Sequence, residues 1–305
     1  MAAKSAIILT GATGFIGKAI LRELIRQEYP VLILTRHPER IADTSPQVRI
    51  LTCALENITP EVVTTIQAFA PQTVIHAAWM GTENTNRNDT EFVLLNLQST
   101  LKLFEISVAA GCRRWISFGS QAEYSENIEA DIDETMPNFP ATAYGITKLV
   151  TAHMLLSLAA ANGVTCAWLR IFAAYGSEYK ASYVMPYLLE CFRKQEMPAF
   201  KTPHAVWDYI HVDDVAAAIL SALQNPQTHG IFNLGTGIGH SIGDIALMMA
   251  KSCGFRDMDG LHRAIDQCHD VPTRRVAIID KIKRYLYWKP DRVLSNEMER
   301  ANLWT

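Results

Sequence analysis

Ala6-Ile7-Ile8-Leu9-Thr10-Gly11-Ala12-Thr13-Gly14-Phe15-Ile16-Gly17 runs a short apolar stretch into three glycines and the opening of an amphipathic segment. An apolar run of this length reads as a buried strand, and the segment after it, 14–27, has apolar residues recurring at three and four positions, as in a helix. Glycines at such a strand-to-helix turn allow a tight bend, close approach of backbone to a pyrophosphate, and tight packing of helix on strand. The helix N-terminus then faces the phosphates. The spacing is GxxGxxG rather than GxGxxG. Three glycines could serve the turn alone, but their place after a first strand points to a dinucleotide site.

Working outward, short apolar runs alternate with longer amphipathic ones through the first two thirds of the chain. The pattern predicts strands at 6–10, 31–35, 49–53, 73–78, 115–119 and 166–171, with helices in the intervals, most clearly 14–27, 91–110 and 142–161. After Phe172 come helix 183–194, strand 207–211, helix 214–223 and strand 231–234, then a less regular tail with basic and aromatic residues at 281–290. This is the α/β signature of a Rossmann-type doubly wound parallel sheet with a smaller C-terminal substrate-binding lobe. The expected division is 1–172 plus about 206–235 for the dinucleotide-binding domain, and about 173–205 plus 236–305 for the lobe.

Composition agrees and excludes other classes. The chain has 305 residues, 49% hydrophobic and 19% charged, enough to bury a full core. Its 28 Lys and Arg are outnumbered by 31 Asp and Glu, so no nucleic-acid partner is expected. Six scattered cysteines without CxxC or metal-ligand spacing read as reduced thiols of a cytoplasmic protein with no metal site. No uninterrupted apolar stretch reaches the ~18 residues of a membrane span.

In a doubly wound fold, the end of the second strand chooses the cofactor: a carboxylate there binds the ribose 2′-hydroxyl of NAD, an arginine the 2′-phosphate of NADP. The sequence reads Leu34-Thr35-Arg36-His37, so NADP(H) is favoured and NAD(H) is the alternative, with a solvated surface arginine as the bland reading. Tyr144 and Lys148 stand four residues apart, on one face of a helix. A nearby ammonium lowers a tyrosine pKa from ~10, and such a pair can pass a proton to or from a carbinol oxygen while a nicotinamide gives or takes hydride.

Together these motifs resemble the extended short-chain dehydrogenase/reductase family of nucleotide-sugar epimerases, dehydratases and ketoreductases, over almost the whole chain. His76-Ala77-Ala78 looks like its fourth-strand motif and Asn96 like the asparagine of the following helix. Trp207-Asp208-Tyr209-Ile210-His211-Val212-Asp213-Asp214-Val215 is similar to its late strand-helix signature, and Phe232-Asn233-Leu234-Gly235-Thr236-Gly237 to the next glycine turn. Trp288-Lys289-Pro290 resembles a Gly-Trp-x-Pro segment, with Tyr287 where the glycine would be. The resemblance implies Ser120 as a third catalytic residue beside Tyr144 and Lys148, because Ser120 and Tyr124 reproduce the family spacing at the end of the fifth strand. A capping serine is the bland reading.

The same resemblance implies that Gly11, Thr13, Gly14, Phe15, Ile16, Gly17, Arg36, Leu55, Ala77, Ala78, Asn96, Tyr144, Lys148 and Ile171 meet the cofactor. Trp79, Gln121, Ala122, Glu123, Tyr144 and Arg274 (or Arg275) would meet the substrate, Tyr124 and Tyr175 would be pocket wall, and one of Asp213 and Asp214 would cap a helix. His76 reads as a satisfied buried histidine. Three departures are visible: Ala54-Leu55 replaces the adenine-holding Asp-Leu, Ala173 replaces an asparagine that contacts the diphosphate, and Trp207 replaces an arginine.

Family dehydratases carry Thr-Asp-Glu where this chain has Ser120-Gln121-Ala122, so elimination of water is not expected. The leading expectation is an NADPH-dependent reductase of a 4-keto sugar on a nucleotide diphosphate, late in deoxysugar synthesis. An NAD(P)-dependent 4-epimerase is the alternative. A catalytically silent NADP-binding regulator is a third reading, which the presence of both Tyr144 and Lys148 opposes. The resemblance also implies a homodimer joined by a four-helix bundle of helices 91–110 and 142–161; Leu95, Leu103, Leu149 and Leu156 exceed what one core-facing stripe needs, with a wide buried face as the competing explanation.

Overall fold

The structure, a computed structural model, describes residues 4–42, 45–126, 130–176, 183–225, 228–271 and 273–299. The strands are β1 (Ile7–Thr10), β2 (Val31–Thr35), β3 (Val48–Thr52), β4 (Thr73–His76), β5 (Arg114–Ser120), β6 (Thr165–Ile171), β7 (Ala173–Tyr175), β8 (Val206–His211), β9 (Gly230–Leu234), β10 (Gly239–Ser241) and β11 (Arg274–Arg275). The helices are α1 (Phe15–Arg26), α2 (Pro60–Phe69), α3 (Thr90–Ala109), α4 (Ala143–Ala161), α5 (Val184–Arg193), α6 (Val212–Gln224), α7 (Ile242–Ser252), α8 (Met258–Asp266), α9 (Asp280–Leu286) and α10 (Leu294–Glu299).

Seven strands form one parallel sheet in the order β3-β2-β1-β4-β5-β6-β9. Its central strands are apolar on both faces because helices cover both: Ile7, Ile8, Leu9, Val31 and Ile33 are wholly buried. One face packs against α1, α6 and α9 through Ile20, Leu24, Val215, Ile219 and Ile282. The other packs against α2, α3 and α4 through Ile66, Leu103, Phe104, Ala152 and Leu155. The chain reverses direction across the sheet between β1 and β4, the switch point where doubly wound sheets open a crevice.

The predicted elements of the first two thirds lie within two residues of those observed. The predicted strand 73–78 stops at His76, since Ala78 N turns to donate to Thr10 Oγ1 at 3.1 Å. One strand joins a different sheet from the one expected. β8, grouped by its sequence with the large sheet, pairs instead with β7, β10 and β11 in a small second sheet. This sheet and α5, α7, α8 and α10 surround a third core that includes Leu188, Phe192, Ile245 and Leu261.

Neither Asp213 nor Asp214 caps α6. His211 does so, its Nδ1 accepting from Asp213 N at 3.1 Å, while Asp213 pairs with Arg22 and Arg292 and Asp214 accepts from Asp291 N and Arg292 N. Tyr287, in the glycine position of the C-terminal motif, closes α9 with a left-handed φ of 53°.

By length and composition α3 and α4 would suffice to cross a membrane, with mean hydropathy 1.3 and 1.2. Their inner sides instead belong to the core. The outward face differs from the expected one: Leu103 is fully buried, and the exposed apolar residues are Leu94 on α3 with Ile146, Val150, Met154 and Leu158 on α4. The last four recur at every fourth residue and so form one stripe.

Candidate active site

A cleft of about 800 Å³, its solvent mouth included, opens at the C-terminal ends of β1, β2 and β4. Gly11, Thr13 and Gly14 form its floor, and Ala77 and Ala78 face them. Gly11 has a φ of 71°, and a Cβ there would lie 2.5 Å from the Ala77 carbonyl carbon. One on Gly17 would lie 1.9 Å from Gly11 O. The loop is therefore a cradle that side chains would fill, at the N-terminus of α1, where the helix dipole suits a diphosphate. Phe15 and Ile16 start that helix and pack on the core rather than along the cleft.

Arg36 and Leu55 line the mouth of the cleft, where the adenosine end of a dinucleotide would rest. Arg36 Nη1 lies 3.5 Å from Glu56 Oε1, with the side chains 51% and 30% exposed. Glu56 also lines the cleft and went unnoticed in the sequence, because it follows β3 and not β2.

Ser120 ends β5 and caps a single 3₁₀ turn, its Oγ accepting from Ala122 N at 3.2 Å. Ser120 is also the foremost group that acts to lower the Tyr144 phenol. Tyr144 is set by its backbone: its N donates to Arg87 O at 2.8 Å, and the neighbouring Ala143 N to Asn88 Oδ1 at 2.9 Å. Burial pushes the Tyr144 phenol up to about 12, while Ser120 and then the Arg87 charge act to lower it. Lys148 is buried beneath, donating from Nζ to Phe118 O at 2.6 Å and lying 3.5 Å from the centroid of the Trp79 ring. Burial brings its pKa down to about 7.

The expectation that Lys148 tunes Tyr144 directly needs revision within this chain. Nζ is 5.9 Å from the Tyr144 ring centroid and closer to the Trp79 indole. The cation near the phenol is Arg87, 5.2 Å from the ring centroid and with a buried Nε that has no hydrogen-bond partner. Its position in a loop with no recognisable motif concealed it in the sequence.

A family model for the NAD dependent epimerase/dehydratase family matches residues 7–235, most of the chain. The chain belongs to that family. It is 27% identical over 306 residues to the UDP-glucose 4-epimerase of Corynebacterium glutamicum, covering 93% of this chain and 91% of the relative. It is 23% identical over 316 residues to the dTDP-4-dehydro-6-deoxyglucose reductase of Escherichia coli, covering 98% and 97%. Among solved structures, the UDP-glucose 4-epimerase of Thermotoga maritima with UDP-glucose has the same fold, with a TM-score of 0.82, 22% identity and 96% of each chain covered. That of Thermus thermophilus in complex with NAD has a TM-score of 0.80 at 24% identity, again over 96% of each.

Several residues in and around the site of this epimerase/dehydratase member also hold the structure together. Asn96 spends its amide on the backbone of Met80, donating to O at 2.9 Å and accepting from N at 2.8 Å, so it shapes the cleft wall by holding the loop after β4. His76 is enclosed between Thr10 and Thr100, 2.9 and 3.0 Å away, and burial brings it down to about 3, so it stays neutral. The Ile171 side chain is in the core. Glu123, expected to face substrate, is wholly buried against Arg170 and Trp168. Tyr124 and Tyr175 are likewise core residues, not pocket wall.

Gln121 and Ala122 remain on the turn after Ser120, partly exposed. Trp79 lines both the cleft and a smaller pocket shared with Arg87 and Tyr144. Arg274 is held by Asp131 at 2.6 Å, whereas its buried neighbour Arg275 keeps an Nη1 without a hydrogen-bond partner.

Proposed function

We propose that this chain reduces the 4-keto group of a nucleotide-diphosphate-linked sugar with NADPH. The carrying observation is Arg36 at the cleft mouth, with no carboxylate at the end of β2. The Gly11–Gly17 cradle fits a dinucleotide: Gly11, Thr13 and Gly14 would meet the diphosphate, Arg36 the 2′-phosphate, and Leu55 the adenine. Ala77 and Ala78 would form the opposite wall, and Lys148 would hold the nicotinamide ribose. When bound, the dinucleotide supplies the hydride.

The chain's own residues move the proton. Tyr144 donates from its hydroxyl to the sugar oxygen, and the Ser120 hydroxyl shares that oxygen. Arg87 stabilises the phenolate left behind, so a tyrosine raised by burial can still act. Gln121 and Ala122 offer no acid for elimination. On the lobe, the unpartnered Nη1 of Arg275 suits the substrate diphosphate better than the engaged Arg274.

A second reading, a nucleotide-sugar 4-epimerase, is favoured by the many UDP-glucose 4-epimerases among the relatives and by neighbours in complex with NAD. The same Ser120, Tyr144 and Lys148 would serve it. A panel of nucleotide-linked sugars and 4-keto sugars with NADPH or NADH separates the two. Stoichiometric loss of reduced nicotinamide supports the reductase; interconversion of sugars without net cofactor change overturns it in favour of the epimerase.

We propose further that the large-sheet domain binds cofactor while the lobe around the small sheet closes over the sugar. The Ile146, Val150, Met154 and Leu158 stripe is the face that joins two copies.

A further inference from the structure

The turn that carries Ser120 rests on a carboxylate with no part in the scheme above. Glu123 and Arg170 are both completely buried, and Glu123 Oε2 accepts from Arg170 Nε at 2.7 Å. Glu123 Oε1 accepts from Trp168 Nε1 at 2.9 Å and from the backbone N of Ser120 at 2.8 Å. The socket is fitted to this group, since a Cβ on Gly119 would lie 2.3 Å from Oε1 and 2.2 Å from Trp168 Nε1.

A buried ion pair is a poor way to gain stability, because apolar residues of similar volume often serve as well. What the carboxylate does that an apolar residue could not is accept the Ser120 N–H. That bond and the Oγ bond to Ala122 N fix Ser120 from both sides, and the side chain so fixed is the first of those that act to lower the Tyr144 phenol.

We propose that Glu123 is a positioning residue: its carboxylate, held by Arg170 and Trp168, anchors the Ser120 backbone and thereby aims the Ser120 hydroxyl at the Tyr144 phenol. The inference rests on the reading of Ser120 and Tyr144 as the proton-handling pair. Glu123 itself touches no substrate.

Two crossed variants separate anchoring from charge. Glu123→Asp keeps the charge opposite Arg170 but withdraws the acceptor from Ser120 N. Glu123→Gln with Arg170→Gln removes both charges and keeps an acceptor in place. On a substrate that the wild type turns over, Glu123→Asp lowers kcat about as far as Ser120→Ala, ~10- to 100-fold, with KM and cofactor affinity within about twofold. Adding Ser120→Ala to it costs nothing more. The glutamine pair holds kcat within about threefold.

Hydrogen exchange of the peptide containing Ser120 reports the anchor without any turnover: it accelerates in Glu123→Asp and not in the glutamine pair. If the glutamine pair fails to fold, Glu123→Asp and its combination with Ser120→Ala still decide. Normal kcat in Glu123→Asp, full additivity with Ser120→Ala, or unchanged exchange overturns the proposal. Equal turnover by wild type and Ser120→Ala would instead sink the reading of Ser120, leaving the exchange result to judge the anchor alone.

Discussion

On the NADPH reading proposed above, cofactor choice depends on two side chains at the mouth of the cleft, and substituting each has a calculable consequence. Arg36 and Glu56 meet at 3.5 Å with 51% and 30% of their side chains exposed, so solvent screens them. A pair of this kind contributes at most ~1 kcal/mol. Charge-assisted hydrogen bonds from the guanidinium to a 2′-phosphate are worth roughly 1.5–3 kcal/mol. Exchanging one for the other leaves about 0.5–2 kcal/mol, a preference for NADPH over NADH of roughly 2- to 30-fold.

Glu56→Gln releases the arginine and removes a repelling carboxylate, so NADPH should bind up to about fivefold tighter while NADH changes little. Arg36→Asp replaces attraction with repulsion and should weaken NADPH by about 100-fold or more with NADH within about threefold. Nucleotide fluorescence titrations at low and high salt measure all of these, and the NADPH preference should shrink as salt rises. Equal losses of both cofactors in Arg36→Asp, or a wild-type preference for NADH, would refute the reasoning.

Four further outcomes are expected. Tyr144→Phe, lacking one oxygen, should keep fold and cofactor binding yet lose ~10²- to 10⁴-fold in turnover; near-normal turnover would remove Tyr144 from the mechanism. Because burial brings Lys148 down to about 7, the ammonium proposed to hold the ribose is present below that pH and lost above it. Cofactor affinity should fall as pH rises through about 7, a limb absent from Lys148→Met, while His76, at about 3, contributes no limb near neutrality. Tyr287→Gly should raise thermal stability by about 1 kcal/mol, since Tyr287 stands exposed in a left-handed turn and glycine adopts that conformation without penalty. Val150→Glu should convert a dimer to monomers in sedimentation, with the fold intact by circular dichroism; an unchanged oligomer would exclude this face.

The alternation of apolar runs, the glycine cradle and the Tyr144-Lys148 spacing were legible in the sequence because each is a property of one continuous segment, whose period and steric demands are local. They sufficed for the seven-stranded core and for the helix that presents Tyr144. What the sequence could not contain was partnership across distance. Glu123 looks like a pocket residue until Arg170, 47 positions on, is found beside it in the core. Lys148 shares a helix face with Tyr144, yet the indole of Trp79, from the loop after β4, lies nearer its ammonium. The alternation of β8 marks a strand but not the sheet it joins, because hydrogen-bonding edges are chosen by three-dimensional packing. Charge balance is likewise a property of space: Arg36 reads as a free cation in the chain and meets Glu56 only when β2 and β3 lie side by side.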